Sequence, residues 1–300
     1  MAYSLEPGEP VDAGLARITR EQVHAAASGA VRASEPVGLR VHKARTTCKK
    51  IRAVLRLYAP LGRGDVSGAL DFYRTVDDPL SRPRDAEILL VTFDGVVRRW
   101  PRRYSRLRAA LLVQQRDLAG SERSAEVALR AFANAIRRAG QAPEPSLVPA
   151  GIEGIADGLK EAYSKGLKAF RRAAERRKPS DYHNWRKASK VIGYHHRLLH
   201  KMWPPFLASL RHQWDELSDL LGAEHDLTVL IDHLDDYAGS GDEVEAALDV
   251  ARKAGKLRQA ARRAAEKLGG SLFGEKPRRW LRRIVSEWNA SLDAPRQAGS

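Results

Sequence analysis

The sequence offers little scope for disulfide or thiolate chemistry. Cys48 is the only cysteine in 300 residues, so no disulfide can form within the chain and a zinc site built on several thiolates is excluded. The first ten residues contain Glu6 and Glu9 and no apolar core, which is not the pattern of a signal peptide. We therefore expect a cytoplasmic protein that has no metal ion or other cofactor.

Long apolar runs and β-strand patterns are also scarce. No stretch approaches the roughly 18 apolar residues that a membrane span needs. Alternating β-branched runs are nearly absent, whereas Ala, Leu, Arg, Glu and Lys dominate and apolar residues recur at spacings of three and four. The one strand-like run, residues 88–93 (ILLVTF), follows a helix-start signal at 81–85 and is interpreted as buried helix. The sequence therefore predicts an all-α fold.

Twelve helices are predicted, and the breaks between them fall at clusters of Gly and Pro. The predicted helices span residues 19–32, 39–58, 66–75, 82–98, 102–118, 121–139, 152–177, 181–201, 205–221, 224–237, 243–268 and 277–288. The longest segment of low helix propensity is 140–151 (GQAPEPSLVPAG). Residues 1–14 and 293–300 are expected to be flexible ends.

Acidic residues are too few to balance the basic ones. The chain has 52 Lys and Arg against 37 Asp and Glu, which gives a formal net charge of +15. This surplus predicts an anionic partner, which is a nucleic acid, an anionic membrane or a phosphate polymer. Charge alone does not choose among the three, and composition leaves the oligomeric state open.

Basic residues recur at the same spacing in two segments, VHKARTTCKKIRAVLR (41–56) and YHNWRKASKVIGYHHR (182–197). The aligned pairs are His42 and His183, Arg45 and Arg186, Lys49 and Lys190, and Arg56 and Arg197. Arg52 adds a basic residue in the first copy, where the second has Gly193. Because steps of three and four stay on one helix face, each copy is predicted to form a basic stripe, about 21 Å long in the first copy.

A second pair of segments repeats at the same offset. LSRPRDAEIL aligns with LGAEHDLTVL, which places Arg84 and Asp85 opposite His225 and Asp226. In both copies this dipeptide begins 42 residues after the histidine that opens the stripe. Two similarities at one offset indicate an internal duplication. The two aspartates are interpreted either as helix caps or as groups that orient the neighbouring Arg or His toward a ligand.

Each stripe requires nearby anions, because like charges on one helix face repel one another unless anions neutralise them. Arg offers forked donors to phosphate oxygens, Lys a mobile charge, and His a donor that charges as the pH falls. An extended anion whose charges repeat at regular intervals fits this arrangement. We expect the stripes to face each other inside the fold, which disfavours a membrane surface. The candidate binding residues are His42, Lys43, Arg45, Lys49, Lys50, Arg52, Arg56, Arg84, His183, Arg186, Lys187, Lys190, Arg197 and His225.

The motifs VHKARTTCKKIR, LSRPRDAEILL, DYHNWRKASK and LGAEHDLTVL closely resemble those of the CHAD family, the conserved histidine α-helical domain. The resemblance covers residues 15–292. It implies two pseudo-symmetric antiparallel helical bundles, about 15–150 and 151–292, with a basic channel or groove between them. It also implies binding of inorganic polyphosphate and association with polyphosphate granules. The E-x-E-x-K strand signature of a fused triphosphate-tunnel domain is absent, so the resemblance implies a stand-alone binding module.

Two other functions stay open as alternatives. Nucleic-acid binding fits the charge, and the run RRWPRRYSRLR (98–108) could lie along phosphates, although no recognised DNA- or RNA-binding signature occurs. Histidine-dependent phosphohydrolysis would use His42, His183 or His225 as the nucleophile. The sequence has no Walker A motif, Gly-rich phosphate loop or carboxylate cluster for magnesium. We therefore expect a binding protein and not an enzyme, with nucleic acid as a weaker partner.

A metal site is the remaining candidate, at His195, His196 and His200. His196 and His200 share a helix face, like the two histidines of the H-E-x-x-H motif. The residues between them are Arg-Leu-Leu, so the general base of that motif is missing and no third ligand is nearby. The pattern therefore does not favour a metal site.

Overall fold

The computed structural model describes most of the chain. The described residues are 3–61, 66–119, 122–139, 151–201, 204–237, 239 and 241–293, with side chains described except at 61, 81–87, 115, 117–119, 122, 204–208 and 291–293. Most of the predicted linker 140–151 and of the C-terminal end 293–300 therefore lies outside the described residues. So do the side chains of Arg84 and Asp85.

The described residues form α-helices and three short 3₁₀ segments, with no strand among them. This confirms the prediction of an all-α fold. The helices are α1 (Val11–Ala30), α2 (Val37–Tyr58), α3 (Val66–Thr75), α4 (Ser81–Val97), α5 (Ser105–Ala119), α6 (Glu122–Ala139), α7 (Glu153–Arg176), α8 (Pro179–Leu199), α9 (Pro204–Asp235), α10 (Asp242–Leu272) and α11 (Pro277–Asp293). None of the described helices is both long and apolar enough to span a lipid bilayer.

Several helix boundaries differ from the prediction. The two helices predicted at 205–221 and 224–237 are one continuous helix, α9, that passes through Gly222. A glycine inside a helix costs only about 1 kcal/mol, and the burial of Leu221 and Leu227 on either side offsets that cost. Helix α1 begins at Val11, earlier than predicted, and α10 continues past residue 268 to Leu272.

The segment before α1 also packs against the fold, although we expected a flexible end there. Leu5 is fully buried, and its backbone N–H donates to the carbonyl of Leu198 in α8 over 2.8 Å. Tyr3 donates its hydroxyl to the backbone carbonyl of Lys50 in α2 over 2.9 Å. These contacts fix residues 3–10 beside the two helices that bear the basic stripes.

Two hydrophobic cores organise the described helices. The larger core contains residues of α1, α2, α3, α6, α7, α8 and α11 and includes the fully buried Trp185. The smaller core contains residues of α4 and α5, among them Phe93 of the predicted buried helix 88–93. Helices α9 and α10 are long enough to contribute to both cores. Each core therefore draws on residues from both sides of the predicted linker.

The larger core places α2 against α7 and α8. A Cβ atom added at Gly158 of α7 would lie 2.4 Å from the backbone oxygen of Leu57 in α2, so only glycine allows this close approach. The Nε2 atom of His195 in α8 forms a 2.8 Å hydrogen bond with the carbonyl of Ala53 in α2. These contacts hold the two striped helices side by side.

Candidate functional site

The basic stripes of α2 and α8 meet between the two helices. Burial, followed by the charges of Arg45 and Arg186, lowers the pKa of Lys49. Burial, followed by the charges of Arg186 and Lys49, lowers the pKa of Lys190 to about 8. Because charges act on one another over short distances, each lysine lies close to the basic residues of the opposite helix.

Helix α9 contributes a histidine to the same place. The ring centroids of His183 and His225 are 4.8 Å apart. Burial, followed by the charges of Arg186 and His183, lowers the pKa of His225 to about 4. The basic residues that the structure brings together are hereafter called the α2–α8 site. They are Arg45, Lys49, Arg52, His183, Arg186, Lys190 and His225.

Asp226 follows His225 on α9 and opposes the positive charge of the site. Its carboxylate raises the pKa of Arg186 and of Lys190, although burial dominates and both pKa values stay below their usual range. The interpretation of Asp226 as a helix cap is wrong, because α9 runs without a break from Pro204 to Asp235. Asp226 therefore remains a candidate for orienting the basic residues.

Several polar atoms of the site are buried without a hydrogen-bond partner among the described residues. They are Arg45 Nη1, Arg52 Nε, Arg186 Nε and His183 Nδ1. A buried donor left without an acceptor costs about 1–3 kcal/mol, so native structures rarely contain several together. Three of these atoms belong to arginines, so both helices carry buried donors that the oxygen atoms of an anion would satisfy.

Asp77 lies among these donors, and sequence reasoning did not identify it. It is only 7% exposed, and its carboxylate lies 3.6 Å from Arg45 Nε and 3.8 Å from Arg52 Nη2. Burial raises its pKa, whereas the charge of Arg45 acts in the opposite direction. Asp77 falls between α3 and the 3₁₀ turn Asp78–Leu80, where no helical periodicity relates it to the stripes.

Tyr194 is a second residue that sequence reasoning left out of the site. Burial raises its pKa, and the charges of Arg197, Arg52 and Arg186 oppose that change. Tyr194 therefore lies near basic residues of both helices, and the guanidinium carbon of Arg197 is 5.8 Å from its ring centroid. Its position four residues after Lys190 places it on the same helix face, which is the signal that could have identified it.

Four of the other candidate residues belong to α2 or α8 but not to the α2–α8 site. Lys43 is exposed and pairs with Glu35 at 2.7 Å, and His42 is exposed on α2. Lys187 is also exposed, although its charge contributes to lowering the pKa of His183. Burial, followed by the charge of Arg52, lowers the pKa of Arg56, which places Arg56 next to the site along α2.

Lys50 and Arg197 lie together near the N-terminal segment. The Nζ atom of Lys50 is 5.1 Å from the ring centroid of Tyr3, and burial, followed by the charge of Arg197, lowers the pKa of Lys50. Arg197 pairs with Asp215 of α9 at 2.5 Å. Arg84 belongs to α4 by its backbone, and its side chain lies outside the described residues.

The histidines considered for a metal site have other surroundings. His195 is buried and hydrogen-bonded to Ala53, and His196 is buried with no hydrogen-bond partner for either ring nitrogen among the described residues. His200 forms a 2.8 Å hydrogen bond with the carbonyl of Arg197. In the part of the chain that the structure describes, no three His, Cys, Asp or Glu residues form a group that could hold a metal ion.

Comparison with known proteins gives one family. A family model described as "CHAD domain" matches residues 15–235. The matched span includes α2, α8 and α9, which carry the α2–α8 site, and ends with α9. Helices α10 and α11, which we expected to belong to the same domain, lie beyond the match. No curated protein matches the chain.

Proposed function

The chain belongs to the CHAD domain family, and on this premise we propose that it binds inorganic polyphosphate in the groove between α2 and α8. The observation that carries the proposal is the set of buried donors on both helices that lack an acceptor among the described residues. Phosphate oxygens would accept from these donors and neutralise the charges that repel one another across the groove. A linear polymer suits the site better than a single phosphate, because the donors follow two rows.

We also propose the internal duplication as the origin of the paired rows. Its support is a packing pattern that occurs twice. Helix α1 packs against α2 and α6, and in the same way α7 packs against α8 and α11. Likewise, α4 packs against α5 as α9 packs against α10. In this proposal the two repeats are pseudo-symmetric antiparallel bundles, and the groove between α2 and α8 is the basic channel. Polyphosphate granules would be where the protein accumulates.

The proposed activity is binding without hydrolysis. Incubation with long-chain polyphosphate and magnesium is expected to release no phosphate above the protein-free rate, while isothermal titration under the same conditions detects binding. Metal-dependent turnover that disappears when His42 or His225 is replaced by Gln would instead identify a histidine-dependent phosphohydrolase. Absence of binding in the titration would refute the proposed function itself.

Replacement of Asp77 by Asn is expected to increase the affinity for polyphosphate roughly tenfold, which corresponds to about 1.4 kcal/mol. The Asp77 carboxylate lies near Arg45 and Arg52, so it competes with phosphate for the same cations. Isothermal titration at constant salt measures the change. Asp71→Asn is the matched control, because Asp71 is exposed on α3 and pairs with Arg74. Weaker binding by Asp77→Asn alone would contradict competition.

The affinity for polyphosphate is expected to rise as the pH falls, in two separate ranges. The pKa of Lys190 is lowered to about 8, and a bound anion raises it again. The contribution of Lys190 is therefore complete below about pH 8 and is lost as the pH rises through the higher pKa of the bound state. The pKa of His225 is lowered to about 4, and a bound anion raises it, so its contribution appears as the pH falls through the higher pKa of the bound state and is complete only below about pH 4.

Dissociation constants at about pH 9.5, 7.5 and 5.5 and constant ionic strength would test both ranges. Lys190→Met should reduce the loss of affinity at alkaline pH, and His225→Gln should reduce the gain at acid pH. His24→Gln serves as the control, because His24 is exposed on α1. A pH profile that neither variant alters would show that these two residues do not contact the anion.

A further inference from the structure

The basic run 98–108 forms a second cationic surface, separate from the α2–α8 site. It is called the Trp100 surface and consists of Arg98, Arg99, Trp100, Arg102, Arg103, Arg106 and Lys253. Trp100 follows α4 and precedes the 3₁₀ segment Pro101–Tyr104, and 49% of its surface is exposed. Val97 and Tyr104 on either side of it belong to the smaller core, whereas α2 and α8 contribute to the larger one.

Two cations lie near the exposed Trp100 ring. The guanidinium carbon of Arg99 and the Nζ atom of Lys253 each lie 5.6 Å from the ring centroid. Lys253 is held in place because it donates to Asp249 over 2.6 Å and to the Tyr104 hydroxyl over 2.9 Å. The Tyr104 hydroxyl in turn donates to Asp249 over 2.6 Å. A flat aromatic ring and a fixed positive charge are therefore presented together.

Positive charge exceeds negative charge on this surface. Asp249 forms ion pairs with three cations: Lys253 at 2.6 Å, Arg252 at 3.3 Å and Arg103 at 3.5 Å. The arginines at 98, 99, 102 and 106 are exposed. Within the described part of the chain, no salt bridge to a carboxylate is found for these four. The surface thus combines an accessible ring with unneutralised arginines.

We propose that the Trp100 surface binds single-stranded nucleic acid, with one base stacked on Trp100 and the phosphates beside the arginines and Lys253. Polyphosphate contains no group that stacks on an aromatic ring, so an exposed ring among cations suits a ligand that carries both bases and phosphates. Base stacking on aromatic residues combined with a positively charged path is the general mode of single-strand binding. The inference does not depend on the proposed function of the α2–α8 site.

Fluorescence anisotropy with labelled oligothymidylate, oligouridylate and an abasic strand of equal length would test the inference at fixed salt. Trp100→Ala is expected to weaken binding of both base-containing strands by about 5- to 150-fold, the range that one stacked base contributes. Its affinity for the abasic strand and for polyphosphate should change by less than about twofold. Trp100→Phe should retain most of the binding, because phenylalanine also stacks.

Several results would overturn the inference. Equal weakening for the abasic strand would show that Trp100 does not stack on a base. A loss of strand binding in Arg45→Gln/Arg186→Gln, with none in Trp100→Ala, would place the strand in the α2–α8 site. Binding of duplex DNA as tight as that of single strands, or Trp100-dependent capture by vesicles of anionic lipid without strand binding, would also contradict it. Unchanged polyphosphate affinity in Trp100→Ala confirms that the variant is folded.

Discussion

Simultaneous replacement of Arg45 and Arg186 by Gln is expected to weaken polyphosphate binding by about 10²- to 10⁴-fold at low salt. Each arginine has a buried nitrogen without an acceptor among the described residues, one on α2 and one on α8. A hydrogen bond to a charged group contributes about 1.5–3 kcal/mol, and each 1.4 kcal/mol corresponds to about a factor of ten in affinity. Glutamine keeps some polarity but removes the charge and the forked donors.

The salt dependence of binding separates this effect from a general loss of charge. For single-stranded polyelectrolytes the slope of log affinity against log salt is about −0.7 per neutralised phosphate. The double variant should therefore show a slope shallower by about 1.4. Arg123→Gln/Arg138→Gln is the matched control, because it removes the same net charge from exposed positions on α6. An unchanged slope in Arg45→Gln/Arg186→Gln would exclude these residues from the site.

Lowering the pH from about 8 to 5 is expected to reduce the free energy of unfolding by about 4 kcal/mol, mainly through two buried histidines. Burial lowers the pKa of His195 to about 4 and that of His196 to about 3, against about 6.5 in the unfolded chain. Their stabilisation is complete above pH 6.5 and is lost as the pH falls toward the folded-state values. Each contributes about 2 kcal/mol at pH 5, because one pKa unit corresponds to 1.36 kcal/mol.

Urea unfolding at the two pH values, compared between variants, would measure this loss. His196→Leu should lose only about half as much stability as the parent chain between the two pH values. At pH 8 it should be as stable or more stable, because neither ring nitrogen of His196 has a hydrogen-bond partner among the described residues. His24→Gln, at an exposed position, should behave as the parent does. Equal acid sensitivity in His196→Leu and the parent would contradict this assignment.

The parts of the structure that follow from local periodicity could be predicted from sequence. Spacings of three and four predict the helices, and the repeated histidine, arginine and lysine positions identify the faces of α2 and α8 that meet. Lys49, whose charge contributes to lowering the pKa of Lys190, aligns with Lys190 in the two repeated segments. Repetition at one offset thus identified residues that lie together, although 141 residues separate them along the chain.

The features that could not be predicted depend on tertiary packing, which local sequence patterns do not encode. Gly222 predicts a helix break, yet α9 continues through it because residues on both sides are buried. Asp77 enters the site only because the turn after α3 packs beside α2. Leu5 lies in a polar N-terminal segment, yet it is fully buried and its backbone N–H donates to a carbonyl of α8. In each case the deciding contact joins residues that no local pattern relates.

The proposed function requires that the α2–α8 site prefer polyphosphate to other polyanions, and a competition titration would measure this preference. Labelled long-chain polyphosphate would be displaced by unlabelled polyphosphate, single-stranded DNA, duplex DNA or RNA, each added at equal phosphate concentration and physiological salt. We expect unlabelled polyphosphate to compete at least about tenfold better than any nucleic acid, a difference of about 1.4 kcal/mol or more. Comparable displacement by all four polymers would show that the site has no such preference.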